Sequence, residues 1–535
     1  MTSALPTTTR AIETTPSKPK RLLNGYGQPG LFALRSLAII ISAALQPLLF
    51  APYSHWYLHW FCWVPFLWAI QAQEGLGRFY LGLAGGALAN GLIFYWYWEM
   101  FPHFSKLSTT GLFVSSTALY LYQGLVWALF AFFTPLLMKR SAHRWLYSVP
   151  CLMVTLESCL PQLFPYPQGA SHYQVTTLFQ VVSLTGIYGM TFLLLWSNCL
   201  LFEGLRQIHT HKRWPVPQSL LFLSVVGMLL LYGSQRKAQY KKARTKARVL
   251  KLGLIQPGLS NTQWSALKKD EIHQQYISLS HDAIGQDAEW ILWPESAFRL
   301  GLLDQPIPAQ LLLQEAEQLG VPLLVGGSGI KRTPSGTKQT NSARHAVFGV
   351  GLGKVYNKIR LVPFGEYQPW KDVLGPLYTK LGINDRVAPG TQLLVESLNG
   401  VRYSFLICYE AIFQDLAREA ASKGAQLLIN PVNDRPFGQT TAPHQHLMLA
   451  AIRSAELGIP MARVTTTGIS TTIDSLGRMG RQTRLFQKSS AVHTVALINL
   501  GSLYKKTGNI FAWLCTCLTL LFTACIYLQC FSKKA

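Results

Sequence analysis

Apolar residues along this chain come in two textures. Up to about residue 235 they form long runs, and from Arg248 onward they break into short β-type stretches that alternate with helical ones. The long runs cover Leu31 to Tyr53, Tyr57 to Ile70, Phe79 to Trp98, Gly111 to Met138, Tyr147 to Leu163, Leu178 to Leu201 and Ser219 to Tyr232, and one more, Ile510 to Phe531, closes the chain. A helix needs about twenty apolar residues to cross a bilayer, so the pattern predicts a transmembrane bundle of about eight spans. The second and fifth runs are short and hold prolines, and fit that criterion least. In the second texture, strands are predicted over Val249 to Ile255, Trp290 to Trp293, Pro322 to Gly326, Ala346 to Leu352, Tyr403 to Cys408, Gln426 to Asn430 and Pro460 to Thr466. Helices are predicted over Ser265 to Ile284, Pro308 to Leu319, Phe413 to Ser422 and Ala442 to Leu457. Such alternation implies an α/β domain whose helices cover a sheet. No internal repeat interrupts it.

The division of the chain follows: a basic, Thr- and Pro-rich disordered cytoplasmic tail over 1–30 (Arg10, Lys18, Lys20, Arg21), a seven-span region over 31–235, a domain over 236–505, and an eighth span with a short tail over 506–535. The first apolar run starts too late and is too long for a cleaved signal peptide. Composition agrees, since 49% hydrophobic and 13% charged residues are unusual for a soluble protein. Residues 1–235 carry 13 Lys and Arg against five acids, and most of the net +24 lies beyond them. Beside so many apolar runs, the basic excess points to anionic phospholipid head groups and a lipid bilayer, not to nucleic acid. With a cytoplasmic amino terminus, the inside loops hold Arg78, then Lys139, Arg140 and Arg144, then Arg206, Lys212 and Arg213, and finally Lys533 and Lys534, while the outside loops hold only Lys106. That asymmetry puts 236–505 on the outer face. The basic stretch Arg236 to Arg248 runs against it and is expected to lie along lipid head groups.

Eight of nine cysteines fall in the apolar runs and read as small fillers, with neither a disulfide framework nor zinc spacing. Cys408 alone lies in the long domain, at a predicted strand end, and is either inert packing or a nucleophile. Glu295 follows Ile291-Leu292-Trp293-Pro294 and Lys358 follows Tyr356-Asn357, so both also sit at strand ends, where α/β sheets place their sites. A thiol is little ionised near neutrality, so a carboxylate must take its proton and a fixed cation must offset the oxyanion that forms on the carbonyl. Taken singly, each has a plain reading: core packing, a solvated turn, a surface lysine.

Together, Trp293-Pro294-Glu295-Ser296-Ala297, the run from Tyr356 to Tyr367 and Ile407-Cys408-Tyr409-Glu410 resemble the signature set of the carbon-nitrogen hydrolase (nitrilase) superfamily. Seven spans before that domain and one after it narrow the resemblance to the apolipoprotein N-acyltransferase family. The resemblance implies an α-β-β-α nitrilase-like sandwich, with Glu295 as general base, Lys358 stabilising the oxyanion and Cys408 as the acylated nucleophile. It implies supporting roles for Glu366, Tyr409 and Glu410, and Trp264 is similar to the family's loop tryptophan near the substrate entrance. A phospholipid acyl donor, a diacylated apolipoprotein acceptor and a bacterial inner-membrane location with the domain on the periplasmic face are further implications, with no cofactor and no metal.

One stretch departs from the family pattern. Where Asn-Asp-Ala-Trp-Phe-Gly is usual, the chain reads Asn433-Asp434-Arg435-Pro436-Phe437-Gly438, which adds a charge and removes a backbone donor. Gly349 to Lys354 resembles a phosphate loop but lacks a following helix and reads as a β-turn. His444 and His446 fall on different helix faces, against shared metal ligation. Glu99 is expected at an interface, and Glu157 inside an apolar run marks a place for mutation. Two other readings stay open: a membrane-tethered nitrilase-type amidase whose acyl-enzyme is resolved by water, and a noncatalytic lipid-binding or transport protein.

Overall fold

A computed structural model describes residues 29–71, 75–138, 143–333, 336–383 and 385–531. Residues 1–28 of the expected amino-terminal tail, Lys139, Arg140, Lys533 and Lys534 lie outside the described residues. Among those described, four helices are long and apolar enough to cross a membrane: Gly30–Leu49, Thr109–Met138, Ile187–Thr210 and Val216–Arg244. A fifth crossing results if Leu76–Ile93 and Tyr97–His103, bent by 59°, count as one. Leu220, Leu223, Met228 and Leu231 on the Val216–Arg244 helix, and Trp513, Leu514, Leu520 and Leu521 on the last helix, stand exposed. Apolar surface of that extent belongs against hydrocarbon.

Several predicted spans take other forms. Tyr57 to Ile70 becomes the 3-10 turn Trp56–Trp60 and the eight-residue helix Val64–Gln71, the latter about 12 Å long. Tyr147 to Leu163 is the 15-residue helix Trp145–Cys159. Leu178 to Leu201 opens as two one-turn helices, Thr176–Phe179 and Val182–Thr185, because Gly186 turns the chain at φ +66° before the long helix begins at Ile187. Arg78 sits inside the Leu76–Ile93 helix and is buried, not in a loop. The basic stretch from Arg236 does not lie flat as a separate segment. It continues the Val216–Arg244 helix, and Arg236 Nη1 donates to the Leu500 and Gly501 carbonyls at 2.8 and 2.9 Å.

The second domain is a two-sheet sandwich. One sheet orders Val492–Ala496, Val249–Leu254, Trp290–Leu292, Leu323–Thr333, Gly336–Val347 and Gly351–Leu352, with Tyr356–Asn357 also paired to Gly336–Val347. The other orders Thr471–Ile473, Met461–Thr465, Leu427–Val432, Val401–Phe405 and Glu396–Leu398. Leu252, Trp290 and Leu324 from the first sheet share a core with Tyr403, Phe405, Ile429 and Ala462 from the second. Helices Lys269–Ile284 and Pro306–Leu319 cover the outer face of the first sheet, while Gln414–Ser422 and Ala442–Leu457 cover the second. The layers are therefore α-β-β-α.

The predicted helices recur, Ser265 to Ile284 split into Asn261–Ala266 and Lys269–Ile284. Ala346 to Leu352 is not one strand: Gly336–Val347 pairs along its length with Leu323–Thr333, and a turn at Phe348 to Val350 precedes Gly351–Leu352. That turn takes in the start of the Gly349 to Lys354 stretch, and the strand Gly351–Leu352 follows within it. Helix Lys371–Leu381 was not expected.

Helix Ala442–Leu457, almost wholly buried, lies between the second sheet and the membrane helices. Gln445 Oε1 accepts from Trp96 Nε1 at 2.9 Å, its Nε2 donates to the Ile93 carbonyl at 3.2 Å, and Glu456 Oε1 accepts from the Ile187 amide at 2.9 Å. Glu99 is exposed and lies against Gly438. Glu157 is tied down as an acceptor, from the Gln168 amide and from Thr191 Oγ1, each at 2.8 Å.

Candidate active site

Three strand ends converge at one end of the sandwich. Glu295 follows Trp290–Leu292, and the parallel neighbour Leu323–Thr333 brings Gly326 against it. A Cβ at Gly326 would lie 2.5 Å from the Pro294 carbonyl oxygen and 2.7 Å from Glu295 Cα, so glycine is what lets the two backbones meet. Lys358 follows Tyr356–Asn357, and its amide donates to the Asn341 carbonyl at 2.8 Å. Cys408 stands three residues past the Val401–Phe405 strand, not in it, and opens the 3-10 turn Cys408–Ile412 at φ +53°. A side chain in that left-handed region costs on the order of 1–3 kcal/mol, so the turn must be held by its surroundings.

Glu410 holds it. Its carboxylate accepts from the Ile407 amide (2.7 Å), the Ile359 amide (2.7 Å), the Arg360 amide (3.2 Å) and the Tyr356 hydroxyl (2.9 Å). One buried carboxylate thus binds the Cys408 turn to the segment carrying Lys358. Burial pushes its carboxyl up to about 7, against the opposing pull of these donors and of Lys358. The Tyr409 hydroxyl donates to the Leu163 carbonyl, and its ring meets Phe164 and Phe413 edge-on, which joins the same turn to the membrane domain.

Around Lys358 the polar groups form a closed set. Glu295 Oε1 accepts from Lys358 Nζ at 3.3 Å and from Asn341 Nδ2 at 2.5 Å, and its Oε2 accepts from the Asn433 amide at 2.7 Å. Glu366 Oε1 accepts from the same ammonium and the same Asn341 amide, both at 2.9 Å, and its Oε2 accepts from the Val362 amide at 2.7 Å. Burial acts to discharge Lys358, yet Glu295 and Glu366 keep its pKa well above the ordinary value. Burial likewise pushes the Cys408 thiol well up, Glu295 adds to this, and Lys358 opposes it. The resting sulfur is therefore a thiol, which would have to give up its proton before it could act as a nucleophile.

Cys408, Glu295 and Lys358 line one cavity of about 320 Å³, together with Glu366 and Asn433. The membrane domain supplies the facing wall through Phe94, Trp96, Met100, Phe104, Phe164 and Tyr166. A thiol, a carboxylate and an ammonium thus end an aromatic-walled space fit for an apolar chain with a reactive carbonyl. Glu410 lies outside that lining. Trp264 does too, and it stands on helix Asn261–Ala266, not in a loop. It lines an adjoining chamber that shares Ser296, Ser328, Gln339 and Asn433 with the main cavity. Arg435 lies over its ring, 4.0 Å from the centroid, and Pro436 lines the main cavity.

Asn341 and the Asp434–His446–Arg463 set were missed in the sequence. His446 Nε2 donates to the Cys408 carbonyl at 3.1 Å, and its Nδ1 lies 3.0 Å from Asp434 Oδ1. Asp434 Oδ2 accepts from Arg463 Nη2 at 2.8 Å. The pairing of Asn433-Asp434 with a helical His446 was the available signal. Among the described residues no group of three or more His, Cys, Asp or Glu could hold a metal.

Residues 251–504 match the carbon-nitrogen hydrolase family, and residues 42–200 match the apolipoprotein N-acyltransferase N-terminal domain. The apolipoprotein N-acyltransferase of Geobacter metallireducens is 31% identical over 493 residues, covering 90% of this chain and 92% of that protein. That of Bradyrhizobium diazoefficiens is 28% identical over 485 residues, covering 83% and 86%. Among solved structures, a mutant of the Nesterenkonia AN1 amidase from the nitrilase superfamily aligns at 20% identity with a TM-score of 0.37, covering 49% of this chain and 94% of the amidase.

Proposed function

The chain belongs to the apolipoprotein N-acyltransferase family, and from that premise we propose that it moves a fatty acyl chain from a phospholipid, through a thioester on Cys408, to the α-amino group of a diacylglyceryl-modified cysteine. It is a membrane enzyme, an N-acyltransferase acting on lipid and lipoprotein substrates. In the proposed first step Glu295 takes the thiol proton as sulfur attacks the ester carbonyl, and the Lys358 ammonium offsets the charge on the carbonyl oxygen. The C–O bond then breaks, Glu295 returns the proton to the departing glycerol oxygen, and lysophospholipid leaves. In the second step the amine attacks the thioester and gives a proton to Glu295. The C–S bond breaks, and the thiolate is reprotonated. Glu366 and Asn341 fix the ammonium and the base, while Glu410 and Tyr409 hold the nucleophile turn.

We further propose that residues 1–30, 31–235, 236–505 and 506–535 are the functional divisions. The catalytic unit would face the periplasm on a bacterial inner membrane, and the apolar runs would make eight crossings. Support comes from the bias of Lys and Arg toward one set of loops. The observation that carries the reading is the shared cavity: the three reactive groups sit where the catalytic domain meets aromatic residues of the membrane domain. Such a wall excludes the water that would hydrolyse a thioester. The test is full-length protein in vesicles given acyl-labelled phospholipid and a synthetic diacylated lipopeptide. Label is expected as an amide on the lipopeptide. Label recovered only as free fatty acid would overturn the reading in favour of a hydrolase.

A further inference from the structure

Beside the reaction cavity lies a second chamber of about 400 Å³ whose charged side chains are all cationic. Arg299 and Arg435 both lie over the Trp264 ring, 4.8 and 4.0 Å from its centroid, and Lys269 also lines the chamber. No acid lines the chamber among the described residues. The carboxylate whose charge acts on Arg435 is Glu295, and its oxygens are already occupied by Lys358, Asn341 and the Asn433 amide. Two donors are left over: Arg435 Nη1 and the Tyr276 hydroxyl are buried without a hydrogen-bond partner. Tyr276 also stands close enough to both guanidinium groups to feel their charge. A ring face can hold two cations near each other, but it gives their N–H groups nothing to donate to. Buried donors of this kind are expensive unless a ligand completes them.

We propose that this chamber binds the phosphodiester of the acyl donor, with Arg299 and Arg435 as its principal contacts. The inference rests on the phospholipid reading given above and adds where the head of that lipid sits. The chamber shares Ser296, Ser328, Gln339 and Asn433 with the reaction cavity, so the two spaces are neighbours. In a glycerophospholipid a short glycerol arm separates the ester carbonyl from the phosphate. A carbonyl at Cys408 would leave its chain among Phe94, Phe104 and Phe164 and its anion on the cationic side. Arginine suits the task, since its planar fork matches phosphate oxygens. Burial and the neighbouring Arg299 lower the Arg435 pKa to about 10, which leaves it charged at neutral pH.

The test compares two donors on the full-length enzyme in detergent micelles: dipalmitoyl phosphatidylethanolamine, and dipalmitoylglycerol, which has the same esters and no phosphate. Formation of the Cys408 adduct is followed by intact mass. In wild type the phospholipid is expected to react faster. In R435A and in R299A the ratio of phospholipid to diacylglycerol rates is expected to fall about tenfold or more, and R435K is expected to keep most of it. If R435A is inactive with both donors through misfolding, R299A decides. A ratio that R299A, and R435A where it folds, leave at its wild-type value overturns the inference alone. Adduct formation at the wild-type rate with slowed transfer to a lipopeptide would assign the anion to the acceptor and also overturn it. No wild-type adduct from phospholipid would overturn the donor reading, and this inference with it.

Discussion

Replacing Glu366 by Gln tests the closed set around Lys358 without changing its shape. All three partners of the Glu366 carboxylate are donors: Lys358 Nζ and Asn341 Nδ2 at 2.9 Å on one oxygen, and the Val362 amide at 2.7 Å on the other. A glutamine offers one acceptor oxygen and one NH2, so in either flip its NH2 must face a donor. At least one hydrogen bond is lost, and the ammonium keeps only Glu295 as an ionised partner. A charge-assisted bond at a site this buried is worth about 1.5–3 kcal/mol. If that loss falls on the transition state, acylation slows roughly 10- to 150-fold. The pH profile carries a separate signature. Burial pulls the Lys358 pKa down, and Glu295 and Glu366 lift it above the ordinary 10.5. Lysine therefore contributes in its charged form below its ordinary pKa and loses that contribution as pH rises through the folded value. Removing one carboxylate moves the alkaline decline of acylation to lower pH. The assay is the rate of Cys408 adduct formation by intact mass across pH. An E366Q enzyme with the wild-type rate and an unshifted alkaline limb would refute the proposed role of the set.

Three further outcomes are expected. Gly326→Ala puts a methyl group against the Pro294 carbonyl and Glu295 Cα; overpacking there should cost about 1–3 kcal/mol and slow acylation, read by thermal unfolding and adduct rate, and an unaffected protein would contradict the close approach. Asp434→Ala strips the fully buried Arg463 of its carboxylate and is expected to cost about 3–5 kcal/mol. Arg463 and His446 hold the Asp434 pKa down against burial, so this pair stabilises above the ordinary carboxylate pKa and fails as pH falls through the folded value; a variant melting like wild type at neutral pH would count against the pair. Tyr409→Phe removes the bond to the Leu163 carbonyl and should slow acylation by a few fold, about 0.5–1.5 kcal/mol, with no change in stability at the sandwich.

The reactive trio was legible because each member ends or follows a run of β-forming residues and carries flanking residues that resemble a known family. What surrounds the trio was not. Asn341 sits in Gly336–Val347, whose first seven residues are Gly-Thr-Lys-Gln-Thr-Asn-Ser and show no apolar alternation. Its strand character comes from pairing with Leu323–Thr333, a tertiary fact. In the sequence His446 reads only as one of two imidazoles on different helix faces, and its contact with the Cys408 carbonyl depends on where helix Ala442–Leu457 docks. Hydropathy found the apolar runs but not their breaks. Gly186 and the bend after Ile93 cut helices inside stretches that remain apolar throughout. Trp264 was tied to the entrance by resemblance, and its stacking under two arginines arises from the Arg435 departure, whose side chain position no local pattern specifies.

The most direct test of the convergence of Glu295, Lys358 and Cys408 on one lipid carbonyl is intact-mass measurement of the full-length protein after brief exposure to phospholipid. Wild type is expected to gain one acyl group, mapped to Cys408 and discharged on adding a diacylated lipopeptide. Cys408→Ala is expected to gain nothing and Cys408→Ser little or nothing, since an alcohol is the poorer nucleophile. A folded wild-type protein that stays unacylated, or a Cys408→Ala variant that carries the same adduct, would contradict the convergence at its root.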